Sequence, residues 1–316
     1  MRTEPELGVR LTLKPAPAAD RRIARTSDPL GELRGWPSMV CLPASVVLLV
    51  PESWPRWAFM WALAGSIYFG CKWLTWRRTR VDRVRWWRHA GYLFGWPGLD
   101  AAAFLLEPST APPRVREWCV AALKTATGLV LFFAAARLAS PFHPHLGGWI
   151  GMAGIVLTLH FGFFHLLSCA WRVAGVTARP LMDHPLRAGS VGEFWARRWN
   201  TAFRDLTHRF LFRPLAARFG ARGAIFAGFL FSGLVHDLVV SLPARGGYGG
   251  PTLFFASQAL AMFLERSAAG RRFGLGRRVQ GRVFTAAVLL IPLPILFHPP
   301  FVERVVLPFM RALGAA

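Results

Sequence analysis

The stretch GAIFAGFLFSGLVHDLVVSL, residues 223–242, decides the class of fold to which this chain belongs. Its only ionisable side chains are those of His236 and Asp237. About 20 predominantly apolar residues allow an α-helix to cross the hydrocarbon core of a bilayer. The stretch therefore predicts a transmembrane helix that carries a histidine at membrane depth.

Apolar segments of similar length recur along the chain, which has 316 residues, 53% of them hydrophobic and 17% charged. Globular domains average about 25% charged residues. The hydropathy pattern predicts seven spans, which lie at 37–51, 54–71, 118–139, 148–171, 223–240, 251–265 and 283–298. We therefore predict an all-α polytopic membrane protein.

The basic residues, which give a net charge of +22, are concentrated in blocks at 72–88, 172–222 and 266–282. In a soluble chain such a charge indicates nucleic-acid binding. Here the blocks alternate with apolar segments, as cytoplasmic loops do under the positive-inside rule. We therefore interpret the charge as a determinant of membrane topology and predict no nucleic-acid partner.

A further apolar segment at 89–108 is interrupted by Asp100 and by a glycine and a proline. The three basic blocks share the cytoplasmic side only if this segment does not cross the membrane. We therefore predict a re-entrant or interfacial element there, with the amino terminus in the cytoplasm. The nearly uncharged turns at 141–147 and 241–250 then lie outside.

The amino-terminal segment and the cysteines constrain the domain organisation and the choice of cofactor. Residues 1–35 are charged and rich in proline, and they predict a disordered cytoplasmic tail before one membrane-embedded domain at 36–316. The spacing of the cysteines and histidines matches no metal-binding motif, so we predict no metal site and no cofactor.

The excess of Arg, Ala and Gly is typical of a GC-rich bacterial genome, which points to a bacterial inner membrane.

The segment GEFWARRWN, residues 192–200, opens a basic region and contains the only asparagine of the sequence, Asn200. At about 100° per residue, five apolar side chains fall within an arc of roughly 80°, and arginines occupy the opposite side. The five are Trp195, Trp199, Phe203, Leu206 and Phe210. We predict a continuous amphipathic helix lying in the cytoplasmic interface. Its arginines either maintain the topology or receive a phosphorylated substrate.

His236 shares one helix face with Ala224, Gly228 and Ser232, which recur every four residues. Small residues allow close helix packing, so we predict that His236 points into the bundle. An ionisable side chain at membrane depth indicates a function, and imidazole suits a general base. A proton relay in a transporter and a core histidine bonded to a carbonyl are the alternatives.

Five motifs occur in an order that resembles the wax synthase branch of the membrane-bound O-acyltransferase family. The similarity runs from about 150 to 312. The motifs are SVGEFWARRWN (190–200), FRPL (212–215), FSGLVHD (231–237), SLPARGGYGGPTLFF (241–255) and ILFHPPFVERVVLPFM (295–310).

The resemblance implies that His236 is the catalytic histidine and that Asn200 is the polar residue of the family's Trp-Asn motif. The role of Asn200 stays open between stabilising the oxyanion, orienting His236 and holding the pantetheine arm of CoA. Substrate-binding roles are implied for Trp195, Arg197, Arg198, Trp199 and Ser232. Ala196 and Asp237 depart from the usual glycine and glutamate of the family, and the role of the Asp237 carboxylate stays open.

The resemblance also implies an internal tunnel within the helical bundle. Acyl-CoA, as co-substrate, would reach it from the cytoplasm, and a lipophilic alcohol would reach it through the bilayer. The expected activity is acyl transfer to that alcohol, with a wax ester as the default product. A catalytically silent lipid-binding homologue is the remaining alternative.

Overall fold

The computed structural model of the protein describes residues 35–81, 83–107 and 111–316. Every regular element in these ranges is a helix, as the sequence predicts. The predicted disordered tail at 1–35 lies, except for its last residue, outside the described residues.

The helices are numbered here in chain order, and several of them contain a π-helical turn. They are α1 Trp36–Leu49, α2 Arg56–Arg77, α3 Trp86–Gly95, α4 Ala101–Leu106, α5 Val115–Ala139, α6 Pro144–Val173, α7 191–198, α8 Thr201–Ala244, α9 Gly250–Arg266, α10 Ala268–Arg272, α11 Arg278–Leu290, α12 Leu293–Leu296 and α13 299–312.

Four helical stretches among the described residues are long and apolar enough to cross a bilayer. They are α5, α6, α8 and the stretch Val279–Leu296, which joins α11 to α12. The other three predicted spans coincide with α1, α2 and α9, which are shorter or less apolar. The architecture is consistent with an integral, polytopic membrane protein, and the count of seven spans stays a prediction.

The interrupted segment at 89–108 folds as the two short helices α3 and α4. They have 10 and 6 residues, and neither can cross a core of about 30 Å at about 1.5 Å per residue. Asp100 begins α4 by accepting a hydrogen bond from the Ala103 N–H at 3.0 Å. Tyr92 and Phe104 are fully buried, so protein covers this element, as the prediction of a non-crossing segment requires.

Lys72 corrects one boundary of the predicted cytoplasmic blocks. The block 72–88 was expected to be a loop, but α2 continues to Arg77 and carries Lys72 into the protein core, where it is fully buried. Its Nζ donates to the Gly98 carbonyl at 2.5 Å and lies 3.6 Å from the centroid of the Tyr92 ring. The Lys72 side chain therefore holds the connection between α3 and α4 against α2.

α8 is kinked at Gly220, whose φ of 70° and ψ of 172° are not helical, and the part of α8 that follows Gly220 packs closely against α9. A Cβ on Gly233 would lie 2.6 Å from the Thr252 Cα, whereas the nearest atom to a Cβ on Gly228 would lie at 4.0 Å. The closest contact between α8 and α9 therefore lies at Gly233, and not on the predicted helix face that contains Gly228. This packing brings the amino-terminal half of α9 against the part of α8 that carries His236.

The carboxyl-terminal helix α13 fills the space beside the α5–α6 hairpin. Val302, Val305 and Met310 are almost completely buried and form one core cluster with Phe132 of α5. A Cβ on Gly151 of α6 would lie 2.5 Å from the Met310 sulfur, so the absence of a side chain at Gly151 allows α13 to pack closely against α6. α13 therefore closes the end of the bundle at which α5 turns into α6.

Candidate active site

Helix α7 is held at its amino terminus by a buried carboxylate. The backbone N–H groups of Val191 and Gly192 donate to the two oxygens of Glu265, at 2.8 and 2.9 Å. Ser190 caps the same terminus by accepting from the Glu193 N–H at 2.9 Å. Negative charge at a helix amino terminus is favourable, so Glu265 fixes α7 onto α9. Sequence analysis missed this residue, since it lies more than 70 positions from its partners.

The two arginines of α7 have different surroundings. Arg198 donates to the Glu193 carboxylate from Nε at 2.7 Å and from Nη2 at 2.5 Å. The Gly189 N–H and the Arg198 guanidinium hold the pKa of the Glu193 carboxyl below its usual range. Arg197 is exposed and makes no side-chain hydrogen bond to any residue that the structure describes. Arg198 is thus already paired, and Arg197 is available to a ligand.

Asn200 ends the continuity of the predicted amphipathic helix. Trp199 is extended, with φ −99° and ψ 127°, and Asn200 is left-handed, with φ 41° and ψ 64°. The prediction of one continuous helix is therefore wrong. Asparagine tolerates the left-handed region better than most residues, and its short side chain caps the helix that follows. The break separates α7 from α8.

The Asn200 side chain is partly engaged in this cap. Its Oδ1 accepts a hydrogen bond from the Phe203 N–H at 3.4 Å. The Nδ2 group makes no hydrogen bond within the described part of the chain. Because the carbonyl end faces the backbone donor, the amide can present its two N–H groups to a ligand.

The two predicted tryptophans of the motif pack in different places. Trp195 lies against Phe255, with ring centroids 5.6 Å apart, and its Nε1 donates to the buried Gln258 at 3.4 Å. Trp199 stacks on Phe194, with centroids 5.5 Å apart and an interplanar angle of 16°. Trp195 therefore joins α7 to α9, and Trp199 covers α7 itself.

His236 is partly buried and lies against Phe255, with ring centroids 4.5 Å apart. Its Nδ1 is 2.7 Å from the Ser232 carbonyl oxygen. A carbonyl oxygen can only accept, so Nδ1 carries the proton and the neutral ring keeps its lone pair on Nε2. The Ser232 hydroxyl donates to the Gly228 carbonyl at 3.0 Å, so that hydroxyl is occupied within the helix.

The structure brings His236 and Trp195 onto one aromatic cluster through Phe255. It does not join Asn200 to His236 by a hydrogen bond among the described residues. A cavity of about 700 Å³ lies elsewhere, beside α13, and neither His236 nor Asn200 lines it. The predicted tunnel at these two residues therefore stays a prediction.

Asp237 fixes the end of α8 to the beginning of α9. Its Oδ1 accepts from the Gly249 N–H at 2.8 Å and from the Ser241 hydroxyl at 2.9 Å. Its Oδ2 accepts from the Thr252 N–H at 3.1 Å and from the Thr252 hydroxyl at 2.5 Å. The carboxylate thus holds the glycine-rich turn and the first turn of α9. In the sequence, the i, i+4 spacing of Asp237 and Ser241 is the only indication of this hydrogen-bond network.

His298 extends this network. Its Nδ1 accepts from the Phe301 N–H at 3.2 Å, so Nε2 carries the proton and donates to the Ser241 hydroxyl at 3.2 Å. Ser241 in turn donates to Asp237. A chain of hydrogen bonds therefore connects α13 to the residue that follows His236. The sequence motif around His298 gives no indication of this contact.

A second polar cluster joins α5 to α6. Ligand atoms of Glu117, His165 and Cys169 lie within 4.8 Å of one another. The Glu117 carboxylate pairs with the Arg172 guanidinium and lies 3.1 Å from the His165 Nε2. The guanidinium places a positive charge where a metal cation would bind. The geometry therefore favours an ion-paired cluster over a metal centre.

The motif region also matches a known family. Residues 178–257 match the model of the Membrane bound O-acyl transferase family. This match confirms the predicted family resemblance. The match is narrower than the predicted region of 150–312, yet it contains every predicted site residue.

Two curated proteins are similar to part of the chain. A probable long-chain-alcohol O-fatty-acyltransferase 2 from Arabidopsis thaliana is 29% identical over 140 residues, which cover 41% of this chain and 41% of that protein. A long-chain-alcohol O-fatty-acyltransferase from Simmondsia chinensis is 28% identical over 143 residues, which cover 41% of this chain and 40% of that protein. The similarity thus spans about two fifths of these relatives.

The Asp237 network predicts a specific loss of stability in Asp237→Ala. The substitution leaves the N–H groups of Gly249 and Thr252 without acceptors, so the free energy of unfolding should fall by about 1–3 kcal/mol. Thermal unfolding in detergent measures the change, and hydrogen exchange should accelerate at these two amides.

Asp205→Ala is the matched control for this prediction. The Asp205 carboxylate pairs with the neighbouring Arg204 on an exposed surface, where such pairs contribute about 0–1 kcal/mol. Equal losses of stability in the two variants, with unchanged exchange at Gly249 and Thr252, would contradict the role assigned to Asp237.

Proposed function

We propose that the protein is an O-acyltransferase that moves a fatty acyl group from acyl-CoA to the hydroxyl of a lipophilic alcohol. His236 is the general base of the reaction. The observation that carries the proposal is the hydrogen bond from Nδ1 to the Ser232 carbonyl, within the segment that matches the family model. That bond leaves the unprotonated Nε2 free to accept a proton.

The reaction requires a base because an alcohol is too weakly acidic to attack a thioester unaided. As the alcohol oxygen forms a bond to the thioester carbonyl carbon, Nε2 of His236 takes the hydroxyl proton. The tetrahedral intermediate then collapses, the carbon–sulfur bond breaks, and the imidazolium returns the proton to the leaving thiolate. The products are an ester and free CoA, and no covalent acyl-enzyme is needed.

Asn200 supplies hydrogen-bond donors in this proposal. The Nδ2 group carries two N–H donors that bond to no described residue, and it can donate to the thioester oxygen as negative charge develops there. Its Oδ1 is held by the Phe203 N–H, which sets the direction of the amide. An uncharged donor suits a site from which water is excluded.

Arg197 receives the phosphates of acyl-CoA. A guanidinium fits phosphate oxygens with two parallel hydrogen bonds, and this one is exposed at the surface of α7. Arg198 is an ion-pair partner of Glu193 and therefore contributes to the shape of α7 instead. Trp195, Trp199 and Ser232 line the path of the lipid substrates.

The acceptor is a long-chain alcohol, and the product is a wax ester. Both curated relatives are named for long-chain-alcohol O-fatty-acyl transfer, which supports this choice. The apolar helices supply the bilayer environment from which such an alcohol comes. The basic blocks support a cytoplasmic amino terminus, and the composition supports a bacterial inner membrane.

His236→Gln should strongly slow acyl transfer without unfolding the protein. Removal of a general base lowers the rate by about 10²–10⁴-fold. The assay follows ester and free CoA formed by purified protein from a long-chain acyl-CoA and a long-chain alcohol. His145→Gln is the control, because that histidine is exposed and pairs with Glu303 away from the site.

Four outcomes separate the candidate functions. Transfer that is lost in His236→Gln and retained in His145→Gln supports the acyltransferase. Transfer that persists in His236→Gln refutes the assignment of the base. If the unaltered protein makes no ester but conducts protons across liposomes, a proton relay replaces the enzyme, and failure of both assays indicates a silent lipid-binding homologue.

Arg197→Gln should raise the KM for acyl-CoA by about two- to tenfold, since one exposed phosphate contact contributes about 0.5–1.5 kcal/mol. The kcat should stay near that of the unaltered protein, because the arginine lies outside the reacting atoms. Arg222→Gln removes the same charge from an exposed position on α8. An equal KM change in both variants would point to general electrostatic attraction and reject the specific contact.

A further inference from the structure

A groove lies at the end of the bundle where α5 turns into α6. We call it the Arg137 groove. Its volume is about 700 Å³, and its lining includes Phe133, Arg137, Leu138, Phe142, Leu307 and Arg311. Neither His236 nor Asn200 lines this groove, so it is distinct from the candidate active site.

The groove combines exposed apolar surface with concave shape. Leu138 and Phe142 are 74% and 80% exposed, and Phe133 is 45% exposed. These residues end the candidate span α5 and begin the following turn, so they lie at the boundary between hydrocarbon and water. Such a boundary is occupied by the glycerol and phosphate region of a lipid.

Other arginines at this end of the bundle have protein partners. Arg56 donates to the Ala244 carbonyl at 3.1 Å. Arg304 donates to the carbonyls of Ala244 and Arg245, each at 3.2 Å. Arg245 pairs with Glu52 at 3.7 Å. These positive charges therefore have acceptors within the fold.

Arg137 and Arg311 differ from this group. Both are exposed, both line the groove, and neither forms a hydrogen bond or an ion pair with a residue that the structure describes. The residues that line the groove include no acidic side chain, so the two guanidiniums give it a net positive charge. The predicted topology places this end outside, where arginine is disfavoured unless something retains it.

We propose that the Arg137 groove binds an anionic glycerophospholipid. The guanidiniums of Arg137 and Arg311 donate to the phosphodiester oxygens, for which a planar fork of donors is suited. The acyl chains lie along Phe133 and Leu138 and continue into the bilayer. The bound lipid stabilises the junction of α5, α6 and α13.

The test measures lipid binding directly, without reference to catalysis. Full-length protein in a neutral detergent is titrated with phosphatidylglycerol or with phosphatidylcholine of the same acyl chains. Native mass spectrometry counts the bound lipid, and thermal unfolding reports the stabilisation. We expect retention of phosphatidylglycerol over phosphatidylcholine, and about fivefold weaker binding for each arginine removed in Arg137→Gln and Arg311→Gln.

Two control variants separate a built site from general attraction. The double variant Arg222→Gln/Arg272→Gln removes the same charge from exposed positions away from the groove, and it should retain the lipid. Arg137→Lys/Arg311→Lys keeps the charge but loses the fork, and its binding should be intermediate. Equal losses of lipid binding in the double variants Arg137→Gln/Arg311→Gln and Arg222→Gln/Arg272→Gln, or equal retention of both lipids by the unaltered protein, would overturn the proposal.

Discussion

The hydrogen bonds accepted by the Asp237 carboxylate hold the candidate site together. They connect the last turns of α8 to the glycine-rich turn and to the first turn of α9. His236 precedes this carboxylate, and Phe255, against which His236 packs, lies one turn beyond Thr252. The position of the imidazole relative to α9 therefore depends on the acceptor beside it. This gives a structural role to a residue that the family resemblance left unassigned.

The distribution of charge divides the arginines into two groups. The arginines of one group have partners within the protein, as in the pair of Arg198 with Glu193 and the bonds from Arg304 to backbone carbonyls. The other group, which includes Arg197 and Arg137, is exposed and donates no hydrogen bond to a residue that the structure describes. A guanidinium keeps its charge at any physiological pH, so unpartnered examples at the two ends of the bundle favour anionic ligands. The two proposals assign acyl-CoA to one end and a phospholipid to the other.

Local patterns in the sequence predicted the all-α class, the four candidate membrane spans and the family resemblance. Hydropathy and short motifs suffice for these, because they depend on neighbouring residues. The same patterns failed at Asn200, where helical periodicity cannot reveal a left-handed residue. They also failed at Lys72, whose burial depends on α3 and α4. Glu265 and His298 were missed because their partners are distant in sequence, and only the packed structure brings them together.

His236 can serve as a base only if its Nε2 is unprotonated at neutral pH. Nitrogen-15 NMR of protein labelled at histidine measures this directly, and the signal that disappears in His236→Gln identifies the ring. The bond to the Ser232 carbonyl predicts a protonated Nδ1 and an Nε2 that resonates as a nitrogen without hydrogen. A His236 ring that carries its proton on Nε2 at neutral pH would contradict the proposed mechanism.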